Sequence, residues 1–167
     1  MKLSIIIQHS DTKKAINSLI PQLTDECEII VATKTKYKAD SKLQNVKTVK
    51  QEANNPFDFK NALKTAKGEY IAFVLDGDEV TPDFIKSILA AIDETKADYF
   101  PLKWRFMNWH QYVFVGCEAI PLIFTNIYKK DVALKIKQKS NINNLTAALC
   151  ERECGKAIDK VIYMHWR

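Results

Sequence analysis

Two aspartates separated by a single glycine, Asp76-Gly77-Asp78, stand between an almost wholly apolar run, Tyr70–Leu75, and the segment Glu79-Val80-Thr81-Pro82. Carboxylate oxygens are hard donors and a glycine between them permits a tight turn, so this tripeptide suits a hard divalent cation such as Mn2+ or Mg2+. An acidic cluster at the end of a buried strand is costly unless its charges reach solvent or a cation. A cation held there is positioned to seat a diphosphate and to stabilise the charge that develops as the diphosphate leaves. The pattern therefore points to nucleotide-sugar chemistry, with a hydroxyl acceptor that needs a general base. The plainer alternative for the same residues is a solvated turn between a strand and a helix.

Other side chains carry weaker signals. His9 follows the apolar run Leu3–Ile7 and either lines a nucleotide cleft or sits in an ordinary loop. His110 lies among Trp104, Trp109 and Tyr112, an aromatic cluster that reads as core or lid, with sugar stacking as the alternative. Lys34, Lys36 and Lys38 form a solvated charge run that could also meet phosphate. Cys150 and Cys154 are four apart on a predicted helix. Two small buried residues are expected there, because a metal site at that spacing needs further ligands.

The elements that must position these groups alternate. Leu3–Ile7, Glu28–Ala32, Val46–Val49 and Tyr70–Leu75 read as strands. Between and after them come helical stripes at Ile16/Leu19/Ile20/Leu23, Phe59/Ala62/Leu63/Ala66 and Ile85/Ile88/Leu89/Ile92. Gly68 reads as a helix stop. Thr81 and Pro82 read as the cap and first turn of the third helix. Alternation of this kind implies a mostly parallel sheet flanked by helices. In such sheets ligands bind beyond the carboxyl ends of the strands, so the loops Gln8–Asp11, Thr33–Lys38 and Asp76–Glu79 are expected to converge on one cleft. The second half differs. Strands are predicted at Asp98–Phe106, Tyr112–Val115, Leu122–Tyr128 and Ile158–Tyr163, with a helix carrying Leu145, Ala148, Leu149 and Arg152. The expected fold class is α/β: one Rossmann-like domain with a small mixed β region in its second half. Residues 1–97 would be the nucleotide-binding half and residues 98–167 the acceptor half.

Bulk properties narrow the classes. A chain of 167 residues accommodates one domain. The net charge of +5 gives mild attraction to phosphate-bearing ligands or an acidic membrane face. The aromatic-interleaved basic pattern of RNA binders is missing, so no nucleic-acid partner is expected. No apolar run approaches the roughly 18 residues of a membrane helix, and Leu3–Ile7 is too short for a signal sequence. The expectation is a cytoplasmic protein with reduced cysteines, in peripheral contact with the inner face of the membrane at most.

At this point a resemblance enters. Leu3–Gln8 (LSIIIQ), Glu28–Val31 (EIIV), Lys60–Leu63 (KNAL) and Ala66–Asp78 (AKGEYIAFVLDGD) resemble family 2 glycosyltransferases of the GT-A fold. Asp76–Pro82 (DGDEVTP), the aromatic segment Phe100–Gly116 and Thr125–Lys130 (TNIYKK) resemble more narrowly the lipopolysaccharide core β-glucosyltransferase-like branch, in a minimal version short at its C-terminus. The resemblance covers most of the chain and is strongest over Lys60–Ile88. It implies inverting transfer of a sugar from a nucleotide diphosphate to a saccharide or lipid-linked acceptor, in cell-envelope polysaccharide synthesis. It also implies roles. Asp78 would be the firmer metal ligand, and Asp76 would face the ribose, or the metal through water. Lys60 would lie close to the nucleotide, with Gln8, His9, Ser10 and Thr33 around it. His165 would contact the metal or the diphosphate.

Two positions depart from that pattern. Where relatives place an aspartate at the end of the second strand, this chain has Ala32-Thr33-Lys34-Thr35. Where they place a catalytic carboxylate at a helix start, it has Asn143-Asn144, and amides cannot take a proton. Glu118 is the nearest substitute for the base. A second reading is therefore a glycosyltransferase-like module that binds nucleotide or sugar without turnover. A nucleotidyltransferase ranks below both, because Gln8-His9-Ser10-Asp11 lacks the glycines of a phosphate loop.

Overall fold

The structure is a computed structural model that describes residues 1–9, 14–34, 44–51, 59–75, 77–107, 112–115, 126–136, 152 and 154–166. For residues 9, 104, 106–107, 112–115, 136, 159–161 and 165–166 the description is of backbone alone. In chain order the elements are β1 (Leu3–His9), α1 (Lys14–Leu19) with a 3-10 turn at Ile20–Gln22, β2 (Cys27–Thr33), β3 (Val46–Lys50), α2 (Lys60–Thr65), β4 (Tyr70–Val74), β5 (Glu79–Val80), α3 (Phe84–Thr95), β6 (Tyr99–Met107), β7 (Tyr112–Val115), β8 (Asn126–Lys129), α4 (Lys130–Ile136) and β9 (Ile158–Trp166).

The strands hydrogen-bond in the order β3-β2-β1-β4-β8-β6-β9-β5, with β7 beside β6. From β3 to β6 every strand runs the same way except β8, which is antiparallel to both β4 and β6. The second half adds a smaller mixed sheet, in which β6 pairs antiparallel with β7 and parallel with β9, and β9 pairs antiparallel with β5. The expected α/β class, a mostly parallel sheet flanked by helices with a small mixed β region, is the architecture observed.

The strand sequences explain this layering. β2 and β4 are buried at every position, as continuous apolar runs in a sheet covered on both faces must be. β3 buries only Val46, exposes Thr48 and Lys50 and half-buries Lys47 and Val49, which suits its place at the edge. Helix α2 buries Ala62 and Leu63, with Phe59 and Ala66 packed just outside it, and α3 buries Phe84, Ile85, Ile88 and Ile92.

Several boundaries differ from the sequence reading. Helix α3 begins at Phe84 rather than at Thr81, because Glu79 and Val80 pair with Met164 and Tyr163 of β9. Thr81 then closes a turn: its carbonyl accepts the Phe84 N–H at 3.1 Å and its hydroxyl donates to Asp83 at 2.7 Å. Helix α4 was not expected; it is a single short amphipathic segment that buries Val132 and Ala133 and carries an Asp131–Lys135 pair at 3.8 Å. The predicted helix around Leu145–Arg152 falls outside the described residues apart from Arg152. Cys154 is exposed rather than buried, and Cys150 is outside the described residues.

Gly68 is not the helix stop expected of it. Helix α2 ends at Thr65 with an extended Ala66 after it. Gly68 is required instead by closeness: a Cβ there would lie 2.4 Å from the Ser4 nitrogen and 2.6 Å from the Leu3 carbonyl carbon. Its N–H donates to Ser4 Oγ at 2.8 Å, and Ser4 Oγ donates to Glu28 Oε1 at 2.7 Å. The Lys67 N–H reaches the same oxygen at 2.6 Å, and Lys47 Nζ meets Glu28 Oε2 at 2.6 Å. This buried carboxylate ties β1, β2, β3 and the entry to β4 together at the amino edge of the sheet. Burial pushes the Glu28 carboxyl up, but Lys47, the Lys67 amide and the Ser4 hydroxyl outweigh it, and the group sits below its ordinary value of 4.5.

Two outcomes follow. Gly68→Ala should destabilise the chain by about 1–3 kcal/mol in urea unfolding, because the contacts are with backbone that cannot yield. Glu28→Gln should cost about 1.5–3 kcal/mol at pH 7, the scale of hydrogen bonds to a charged group. Because the folded carboxyl titrates below 4.5, its contribution is complete above that pH and disappears as pH falls through the folded value. The stability gap between wild type and Glu28→Gln should therefore close in acid, and a gap that does not change with pH would exclude this role.

Candidate functional site

Because β1 to β4 are parallel, their carboxyl ends share one edge. The chain runs outward from β1 through β2 to β3, then crosses back to place β4 on the other side of β1. The crevice between the ends of β1 and β4 is thus the switch point at which open α/β sheets bind ligands. Gln8, half-buried, lies at the end of β1 beside Ala32. His9 pairs in register with Thr33, so both are strand ends rather than loop residues. Thr33 is buried, and its carbonyl accepts the Gln51 N–H at 3.0 Å. Lys60 is the exposed first residue of α2, and the neighbouring Asn61 donates from Nδ2 to the Lys50 carbonyl at 3.1 Å, which fixes the start of α2 at this edge.

β4 delivers the acidic turn to the same edge. The Asp78 N–H donates to the Leu75 carbonyl at 3.2 Å, and Gly77 takes φ +82° between them. The turn folds Asp78 inward: the residue is 0% exposed, not the solvated carboxylate of the plainer sequence alternative. Its Oδ2 accepts the hydroxyl proton of Tyr163 on β9 at 2.5 Å, and that hydroxyl in turn accepts the Leu75 N–H at 3.0 Å. Burial first, and then the Asp78 charge and hydrogen bond, push the Tyr163 phenol well above its ordinary value, so it remains a protonated donor at neutral pH.

The pairing of β5 with β9 places further groups. Glu79 opposes Met164 and Val80 opposes Tyr163. His165, the histidine expected near the metal, follows Met164 on β9, and its side chain is outside the described residues. Asp76, Ser10 and Glu118 are outside them altogether, as are His110 and Trp109. Among the described residues no group of three or more His, Cys, Asp or Glu side chains is gathered to hold a metal.

Sequence reasoning missed two residues here. Tyr163 reads as one more apolar strand position, and only its register against Val80 reveals its place beneath the acidic turn. Arg105 on β6 has a buried Nε with no hydrogen-bond partner among the described residues.

The chain matches no protein-family model, and no curated protein matches it. Solved structures do match. Residues 1–349 of S. aureus TarS in complex with UDP-GlcNAc align over 100% of this chain and 59% of that one, at 22% identity and a TM-score of 0.74. The same TarS segment with UDP aligns over 100% and 61%, at 23% identity and 0.74. The bifunctional IspDF of Campylobacter jejuni is more distant, at 12% identity and 0.57 over 94% of this chain and 49% of that one. The chain thus spans about three fifths of the TarS segment and shares its fold. Among the described residues no helix is long and apolar enough to cross a membrane.

The acidic turn gives a direct check. A Cβ at Gly77 meets nothing within 4 Å, so Gly77→Ala tests backbone strain alone. It should cost about 1–2 kcal/mol in equilibrium unfolding, the price of a left-handed conformation for an L-residue.

Proposed function

We propose that the chain is a glycosyltransferase that binds a nucleotide-diphosphate sugar at the carboxyl edge of its sheet and transfers the sugar, with inversion, to a hydroxyl of a saccharide or lipid-linked acceptor. What supports this reading most is the acidic turn: Asp78 stands beside the switch-point crevice, in a fold shared with a protein solved with UDP-GlcNAc and with UDP. Gln8, His9, Ser10 and Thr33 would border the nucleotide, with Lys60 supplying a cationic group near its phosphates.

The donor chemistry of the site fits a divalent metal: a hard carboxylate, oriented and shielded from water, on the turn that ends a buried strand. Asp78, with Asp76 and His165, would hold Mn2+ or Mg2+. Such an ion would supply charge stabilisation for the departing diphosphate. The acceptor oxygen would form its bond to the anomeric carbon from the face opposite the diphosphate. Glu118 would take the hydroxyl proton, and the diphosphate would leave with the electrons of the broken C–O bond. In this reading the product is part of a cell-envelope polysaccharide.

A second reading, binding without turnover, is favoured by one observation: a buried Thr33 ends β2 where the family resemblance calls for an aspartate. Release of free UDP on prolonged incubation of the chain with UDP-GlcNAc and manganese separates the two.

The thermal test is specific. UDP-GlcNAc at a hundredfold excess over its Kd stabilises a folded chain by about 2.7 kcal/mol, which is roughly 5–10 °C in Tm for a chain of this size. That rise should require manganese and should vanish in Asp78→Asn. A panel of nucleotide sugars with no manganese-dependent rise would refute the proposal.

A further inference from the structure

We infer that the joint solvent face of α2 and α4 is a docking surface for an anionic lipid bilayer, with Leu134 entering the headgroup layer among lysines. This goes beyond the transfer reaction above and does not depend on it.

The topology separates two helical layers. The β1-α1-β2 crossover runs one way along the sheet and the β3-α2-β4 crossover runs the other, so right-handed connections put α1 and α2 on opposite faces. α3 joins the α1 side: the Gln22 side chain, in the turn after α1, accepts the Ile85 N–H at 3.1 Å and donates to the Thr81 carbonyl at 2.8 Å. α4 joins the α2 side. It packs against α2, and Lys130 Nζ, at its start, donates to the Ala66 carbonyl just past the end of α2 at 2.6 Å.

The two layers differ in charge. α2 (KNALKT) and α4 (KDVALKI) carry Lys60, Lys64, Lys130 and Lys135 against Asp131 alone. Lys64 and Lys135 are exposed, as is Lys67 just after α2. Glu69, whose carbonyl accepts the Lys130 N–H at 2.8 Å, adds a second acid at the amino edge, and lysines still outnumber acids. On the other layer the charges balance: Lys86 and Lys96 of α3 and its cap stand with Asp93 and Glu94. The basic layer also carries an apolar side chain in the open. Leu134 is 39% exposed, one turn beyond Lys130 on the same helix and next to Lys135.

Composition selects the partner. Neither helix has an arginine or an aromatic residue, the types that anchor protein interfaces and stack on bases. Lysine ammoniums on flexible stems suit a fluid layer of phosphates, and a leucine among them gains by reaching the apolar boundary beneath. Each lysine brought to an anionic bilayer strengthens binding about fivefold.

The test is flotation of the full chain with phosphatidylcholine vesicles and with equimolar phosphatidylcholine–phosphatidylglycerol vesicles. The chain should float with the second and not the first, and should detach as salt rises from about 0.1 M to 1 M. Lys64→Gln with Lys135→Gln should weaken that binding about 25-fold, and Leu134→Ser about fivefold. Lys86→Gln with Lys96→Gln removes equal charge from the α3 side and should change it by less than about twofold. Equal losses from the two double variants would overturn the docking face. So would a wild type that does not distinguish the two vesicles, a measurement that needs no variant to fold. Wild-type binding to RNA with none to vesicles would overturn it in favour of a nucleic-acid face. Flotation requires neither nucleotide sugar nor manganese, so each of these failures leaves the transfer reading standing.

Discussion

The contact on which the site depends joins residues 85 positions apart: the Tyr163 hydroxyl on the Asp78 carboxylate. β4 is an apolar strand buried at every position, and it must hand an acidic turn to the protein's edge. Left to itself, such a turn would swing its carboxylates into water, where solvation is cheapest. The return of β9 prevents this. By pairing with the two residues of β5, it brings a phenol under the turn and draws Asp78 inside. The same hydroxyl accepts the Leu75 amide where β4 ends, so the last strand closes both the backbone and the side-chain bonding of the turn.

The molecule buries two carboxylates, Glu28 and Asp78, in different company. Glu28, at the opposite edge of the same sheet, is met by a lysine, a backbone amide and a hydroxyl at 2.6–2.7 Å. Its negative charge is balanced by the Lys47 ammonium, and its burial holds three strands and the entry to β4 in register. At Asp78 Oδ2 a neutral phenol is a donor, where Glu28 Oε2 meets an ammonium.

Much of the first half was legible because its signals are local. Apolar runs bounded by polar turns gave β1, β2, β3 and β4, and the stripes at Phe59–Ala66 and Ile85–Ile92 gave the buried faces of α2 and α3. The errors lie where a partner distant in sequence decides the outcome. Thr81-Pro82 has the chemistry of a helix start, but β9 claims Glu79 and Val80 as a strand and moves the start to Phe84. Gly68 has the chemistry of a helix stop, yet what demands glycine is the backbone of β1 pressed against it. Asp78 was visible as a ligand candidate from its neighbours, but its anchor was not, since nothing around Tyr163 in the sequence refers to residue 78.

β6 explains why the site cannot be assigned to one half of the chain. Its first residues pair with β8 within the main sheet, and its later ones pair with β7 and β9 in the smaller one. A single strand therefore transmits the position of the main sheet to β9, and β9 carries it back to the acidic turn through β5. The carboxylate comes from the first half and its anchor from the second, so neither half holds the arrangement alone. Any ligand that draws on Asp78 also tightens the β5–β9 ladder, and by linkage its binding energy becomes stability of the junction between the two sheets.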